Sequence, residues 1–174
     1  MALGNIASII RKHRDERPDA IAIVEGGTRH DWRSLDETSN RLAGALLAAG
    51  VGPGDRIARI EKNGVDYFQL VFAAAKINAT LVDVNWRLAA PEKLHIVNDS
   101  QAKVLFIGEE FVDELGSMAP DLEAVATVVI VGAGSDGYPS LADLIADQPD
   151  ADPGATAAPE DICLQLYTSG TTGL

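Results

Sequence analysis

The spacing of apolar residues changes from helical to strand-like and back along the chain, and the changes predict its elements in order. Ile6, Ile9 and Ile10 share one face of a short helix that Asn5 can cap and that must end before Pro18. Residues 20–24 read as a strand, Gly26-Gly27 as a tight turn and residues 28–32 as the returning strand of a hairpin. Ser34-Leu35-Asp36-Glu37 has the form of a capping box, with Leu35, Thr38, Leu42, Ala45, Leu46 and Ala49 on one stripe behind it. Gly50 supplies a left-handed stop. A turn over residues 51–55 leads into a strand over residues 56–60.

Residues 65–77 predict a helix apolar almost all round, hence one buried between layers. A strand at 80–84, a helix opened by Pro91 and running to about Asn98, and a strand at 103–107 follow. Residues 110–119 read as helical. Residues 125–131 form a β-branched run expected of a strand covered on both faces, and residues 140–146 a last short helix. Residues 148–159 are rich in proline, small residues and acids, which predicts a surface connection, and residues 161–167 a final strand. This alternation implies an α/β fold: a largely parallel sheet flanked by helices, with an early antiparallel hairpin. The chain divides into an α/β unit at 1–147, a linker at 148–160, and a strand plus loop at 161–174.

Composition narrows the function. Acids outnumber bases 26 to 14, for a formal charge of -12, which argues against a nucleic-acid partner. The single cysteine, Cys163, lies in an apolar run and reads as an inert, buried thiol. Residues 68–84 are interrupted by Gln69, Lys76, Asn78 and Asp83 and are not a membrane span. The start lacks the pattern of a secretory signal, so a cytoplasmic protein is expected, with peripheral membrane contact left open. His13, His30 and His95 have no partner at a metal-ligand spacing. Asp36-Glu37 and Glu109-Glu110 read as helix-start pairs placed by the helix dipole, and Trp32 and Trp86 as packing residues.

The chain closes on Tyr167-Thr168-Ser169-Gly170-Thr171-Thr172-Gly173-Leu174. Glycines let successive backbone N–H groups turn inward, and four hydroxyls within five residues can bond phosphate oxygens or the shell of a Mg²⁺ ion. The string also follows a predicted strand, where α/β sheets place ligands. It is not the loop of P-loop nucleotidases, because the spacing from Gly170 to Gly173 is wrong and no lysine follows.

Tyr-Thr-Ser-Gly-Thr-Thr-Gly resembles the signature of the AMP-binding, adenylate-forming superfamily. The likeness extends upstream through residues 28–42, through Gly52-Pro53-Gly54-Asp55-Arg56-Ile57-Ala58, and through Asn85-Trp86-Arg87-Leu88. Residues 94–99 and Ala102-Lys103-Val104-Leu105 are similar to the fatty acyl-CoA ligase branch. Asn78 stands where that pattern has Gly, and Asp83 where it has Pro.

The resemblance implies part of the large N-terminal domain of an acyl-CoA synthetase-like fold, from an acid:CoA ligase that forms an acyl-adenylate and then a thioester. It implies ATP and Mg²⁺, CoA as co-substrate, and a fatty or related carboxylic acid. Phosphate contact is assigned to Thr168, Ser169, Gly170, Thr171, Thr172 and Gly173, with Thr168 also the candidate for the Mg²⁺ shell. No catalytic residue is assigned within the chain. Partners implied are the remaining C-terminal polypeptide or a second copy. Two or three charge-assisted bonds of about 1.5–3 kcal/mol each fall short of the association penalty, so these residues alone are expected to be inactive. The rival expectation is a non-enzymatic dimerisation or scaffold module.

Overall fold

The computed structural model describes residues 5–135 and 137–168. Its elements run α1 (Ile6–Glu16), β1 (Ile21–Glu25), β2 (Thr28–Asp31), α2 (Trp32–Ala48), β3 (Arg56–Ile60), α3 (Val65–Lys76) and β4 (Thr80–Asp83). They continue as α4 (Ala90–Asp99), β5 (Val104–Gly108), α5 (Val112–Met118), β6 (Thr127–Val131), α6 (Leu141–Ile145) and β7 (Leu164–Gln165), with single 3-10 turns either side of α5. β1 and β2 form the expected antiparallel hairpin. The other five strands make one parallel sheet in the order β6-β5-β3-β4-β7.

Strand period sorts the core into two layers. Ile57, Leu81, Val104 and Phe106 face α2, α3 and α6, where they meet Leu42, Leu46, Leu70 and Ile77. Ala58, Ile60, Val82, Leu105 and Ile107 face α4 and α5, against Ile96, Val97, Leu115 and Met118. α3 and α4 lie on opposite faces because the chain steps from β3 to β4 and then back across β3 to β5. A right-handed crossover taken in the reverse direction must use the other face.

Several boundaries differ from the sequence expectation. α2 starts three residues early: Asp31, not Ser34, is the cap, and its Oδ1 accepts from Ser34 N at 2.7 Å. The carboxylate one turn upstream outcompetes the hydroxyl because the hairpin delivers Asp31 already extended. β6 is covered on both faces as expected, Val129 packing into one core layer and Ile130 into the other, but it lies at an edge of the sheet and only those two residues are buried. Its β-branched residues satisfy strand propensity, which does not distinguish edge from centre. α3 is less enclosed than predicted, since Phe68 stays 43% exposed. β7 is two residues long instead of seven.

Residues 148–161 form a surface connection, yet one fastened along its length. Arg11 grips Asp152 with two bonds of 2.7 Å, and Asn40 Nδ2 donates to the carbonyl of Asp150 at 2.8 Å. Asn78 Nδ2 donates to Asp161 Oδ2 at 2.9 Å. Asn78 sits at φ 57, a left-handed conformation that Asn tolerates better than most residues, so it can stand in a glycine's place and add a tether.

Candidate functional site

The C-terminal ends of β3, β4, β5 and β7 converge on one rim of the sheet, the rim where parallel α/β folds collect ligands. Thr168 emerges there, exposed, three residues past β7. It is the one predicted phosphate-contacting residue that the structure describes. Ser169, Gly170, Thr171, Thr172 and Gly173 lie outside the described residues.

Tyr167 anchors the approach to Thr168. Its phenol donates to Asp99 Oδ2 at 2.5 Å and accepts from Gln165 Nε2 at 2.9 Å. Burial, and then the bond to Asp99, push the phenol pKa up to about 12, so it is a firm donor at neutral pH.

The neighbouring strand ends carry charge that sequence reasoning did not single out. Arg59, on β3, is fully buried. Its guanidinium bonds Asp66 at 2.8 and 2.9 Å and Asp83 at 3.2 Å, donates to the carbonyls of Glu61 and Lys62, and stacks 5.4 Å from the Tyr67 ring centre. Five donors in a rigid fork suit this many acceptors. Asp83, the departure from Pro, is therefore an ion-pair partner. Burial raises its pKa, and Arg59 works against that rise. Neither residue signals the pairing by itself: the parallel register of β3 and β4 sets Arg59 beside Asp83.

Glu61, next along the rim, has its pKa raised chiefly by burial. Its carboxylate fills the space beside Gly108 that a Cβ would need. Trp86 packs 5.9 Å from Phe111, as a packing residue should, but its face is covered by cations: Arg87 at 4.0 Å and Lys62 Nζ at 5.1 Å. Lys62 also pairs with Glu110 at 2.5 Å, and Glu109 Oε2 accepts from Ala133 N at 2.9 Å. These two acids thus bind specific partners across the rim.

Asp36 is the clearest correction. It lies in the second turn of α2, only 1% exposed, where the helix dipole has little purchase. Lys76 Nζ, also enclosed, donates to Asp36 Oδ1 at 2.6 Å, Ser39 Oγ at 2.8 Å and Asn40 Oδ1 at 2.5 Å. Burial lowers the lysine's pKa, opposed by Asp36. The cluster lies away from the rim and ties α2 to α3.

Cys163 is half-buried beside a small cavity on the opposite, N-terminal side of the sheet, lined by Ile6, Ala79 and Pro159. His13 stacks on Trp32 at 4.4 Å. Among the described residues no three His, Cys, Asp or Glu side chains converge as a metal site. The hydroxyl of Thr168 is a hard oxygen donor, chemically suited to phosphate or to Mg²⁺. Among the described residues no helix is long and apolar enough to cross a membrane.

Comparison with known proteins gives consistent matches. A family model described as AMP-binding enzyme matches residues 10–174. A fatty acid–[acyl-carrier-protein] ligase of Streptomyces coeruleorubidus is 39% identical over 163 residues, 93% of this chain and 30% of its own length. A long-chain-fatty-acid–CoA ligase of Mycobacterium tuberculosis is 33% identical over 172 residues, 97% of this chain and 33% of its own. An anthranilate CoA ligase solved with anthranoyl-AMP superposes with a TM-score of 0.93 at 28% identity, over 99% of this chain and 34% of that one. The chain spans about a third of the length of the curated relatives it matches. With the fold, the signature string and nearly every residue covered by that match, the chain belongs to the AMP-binding enzyme family.

Proposed function

We propose that the intact protein is an ATP-dependent acid–thiol ligase. It joins a carboxylic acid, fatty or related, to the adenylyl group of ATP with release of pyrophosphate, and then passes the acyl group to the thiol of CoA with release of AMP. The observation that carries this reading is the family match running through a hydroxyl-and-glycine string that begins, at Thr168, on the ligand rim of the sheet.

The chemistry needs charge management. A carboxylate must approach a polyanionic triphosphate, so donors have to absorb negative charge as the transition state forms. Thr168, Ser169, Gly170, Thr171, Thr172 and Gly173 are assigned to the phosphate oxygens, and the Thr168 hydroxyl to the shell of a Mg²⁺ ion carried by the nucleotide. Residues 161–174 then act as a strand plus loop, joined by a linker at 148–160 to the α/β unit at 1–147. Residues 1–174 alone are assigned no ligase activity, and the intact protein a cytoplasmic location.

A second reading of the acceptor has support. The relative from Streptomyces coeruleorubidus is named for transfer to an acyl carrier protein, whose thiol would replace that of CoA. Pyrophosphate release by the intact protein, screened over aliphatic, aromatic and sterol-type acids, tests the first half-reaction. Thioester formation with CoA and with a carrier protein then separates the acceptors. Absence of acid-stimulated release across the panel would sink the ligase reading.

A further inference from the structure

The ladder that brings the phosphate string to the rim is short. β7 pairs with β4 through Leu164 and Gln165, and beyond them Leu166 stands 68% exposed. Among the described residues, the next tether is a side chain. Tyr167 packs against the core cluster of the α4–α5 face, and its phenol reaches Asp99, the last residue of α4. Gln165, the last residue of the ladder, donates to the same phenol, so backbone pairing and side-chain anchor are joined.

We propose that Tyr167 is a positioning residue for nucleotide binding, its bond to Asp99 fixing the root of the string that starts at Thr168. This rests on the ligase reading above. Donors already held in place bind a ligand without a further ordering penalty, whereas a string free to pivot at its root must be ordered by the ligand itself. The bond lies near solvent and exchanges for water when broken, so it adds little to global stability. Its effect falls on the segment it tethers.

The test compares Tyr167→Phe, Asp99→Ala and Asp99→Asn in the intact protein, with steady-state kinetics and calorimetric titration of ATP. Tyr167→Phe is expected to weaken ATP binding and raise its KM about tenfold, the lower end of what a hydrogen bond to a charged acceptor carries. The KM for the acid should not move. Asp99→Ala should match it, Asp99→Asn should fall between because its neutral amide oxygen still accepts from the phenol, and Tyr167→Phe combined with Asp99→Ala should be no worse than either single variant. A merely structural bond would lower the melting temperature and leave both KM values unchanged. Wild-type ATP affinity in Tyr167→Phe, or equal rises in both KM values, overturns the proposal. If the wild-type protein itself fails to bind ATP, the ligase reading falls with it; if wild type binds and the variants match it, the anchor alone is wrong.

Discussion

α3 is pinned by buried charge at both ends, and the two ends are built differently. At its C-terminal end, Lys76 is enclosed with Asp36, Ser39 and Asn40 of α2, away from the ligand rim. At its N-terminal end, Asp66 meets Arg59 of β3, and that cluster opens on the rim: Asp66 and Asp83 keep 16% and 26% of their side-chain surface. The first arrangement joins two helices and offers nothing to a ligand. The second fixes the turn after β3 and lines the edge where Thr168 emerges. A buried ion pair by itself is thus a poor marker of a site, and its position on the sheet is the informative part.

Removing one partner should separate the two clusters. Asp36→Ala leaves an enclosed ammonium short of its counter-charge and should cost about 3–5 kcal/mol in denaturant unfolding. Lys76→Met, which removes the buried cation while filling its volume, should cost less. A smaller loss for Asp36→Ala than for Lys76→Met would mean that the lysine is neutral in the folded protein. Asp66→Ala should cost about 2–3 kcal/mol, because Arg59 keeps Asp83 and two carbonyls as partners. A loss as large as that of Asp36→Ala would erase the distinction between rim and interior.

The smallest effect belongs to the fastening of residues 148–161. Burial draws the Asp152 pKa up, but Arg11, the Gly154 N–H and Lys76 draw it down further, so it lies below the ordinary 3.8. Stabilisation by a depressed carboxyl is complete above the ordinary value and is lost as pH falls through the folded one. Arg11→Ala should therefore cost about 1 kcal/mol at neutral pH and less at strongly acid pH, where the carboxylate is lost and only the bonds to the Ala155 carbonyl remain. Equal losses at the two pH values would assign the effect to packing by the arginine stem instead.

Local signals read well from sequence. Asn5 caps α1, Gly26-Gly27 turns the hairpin, and Gly50 ends α2 at φ 79, each decided by a few neighbouring residues. The errors came where distant groups compete. Asp36 has the sequence context of a helix start, and only Lys76, 40 residues away, makes it a buried ion-pair partner. The β-branched run of β6 could not reveal that its outer edge, among the described residues, meets no strand but only the single bridge from Ile130 to Ser140. At the rim, the hydroxyl-and-glycine string was legible as composition and order, whereas the Arg59 cluster was hidden because Arg59, Asp66 and Asp83 are ordinary charges until β3, α3 and β4 meet.

From the amino-acid order alone came the alternation of strands and helices, the parallel sheet and the family, because periodicity, turns and a short signature are local properties. Tertiary structure decided which charges are buried, where Asn78 and Asp83 find their partners, and that Tyr167 reaches Asp99. Those outcomes depend on which residues far apart in the chain share a small volume, and desolvation and pairing act only once they do.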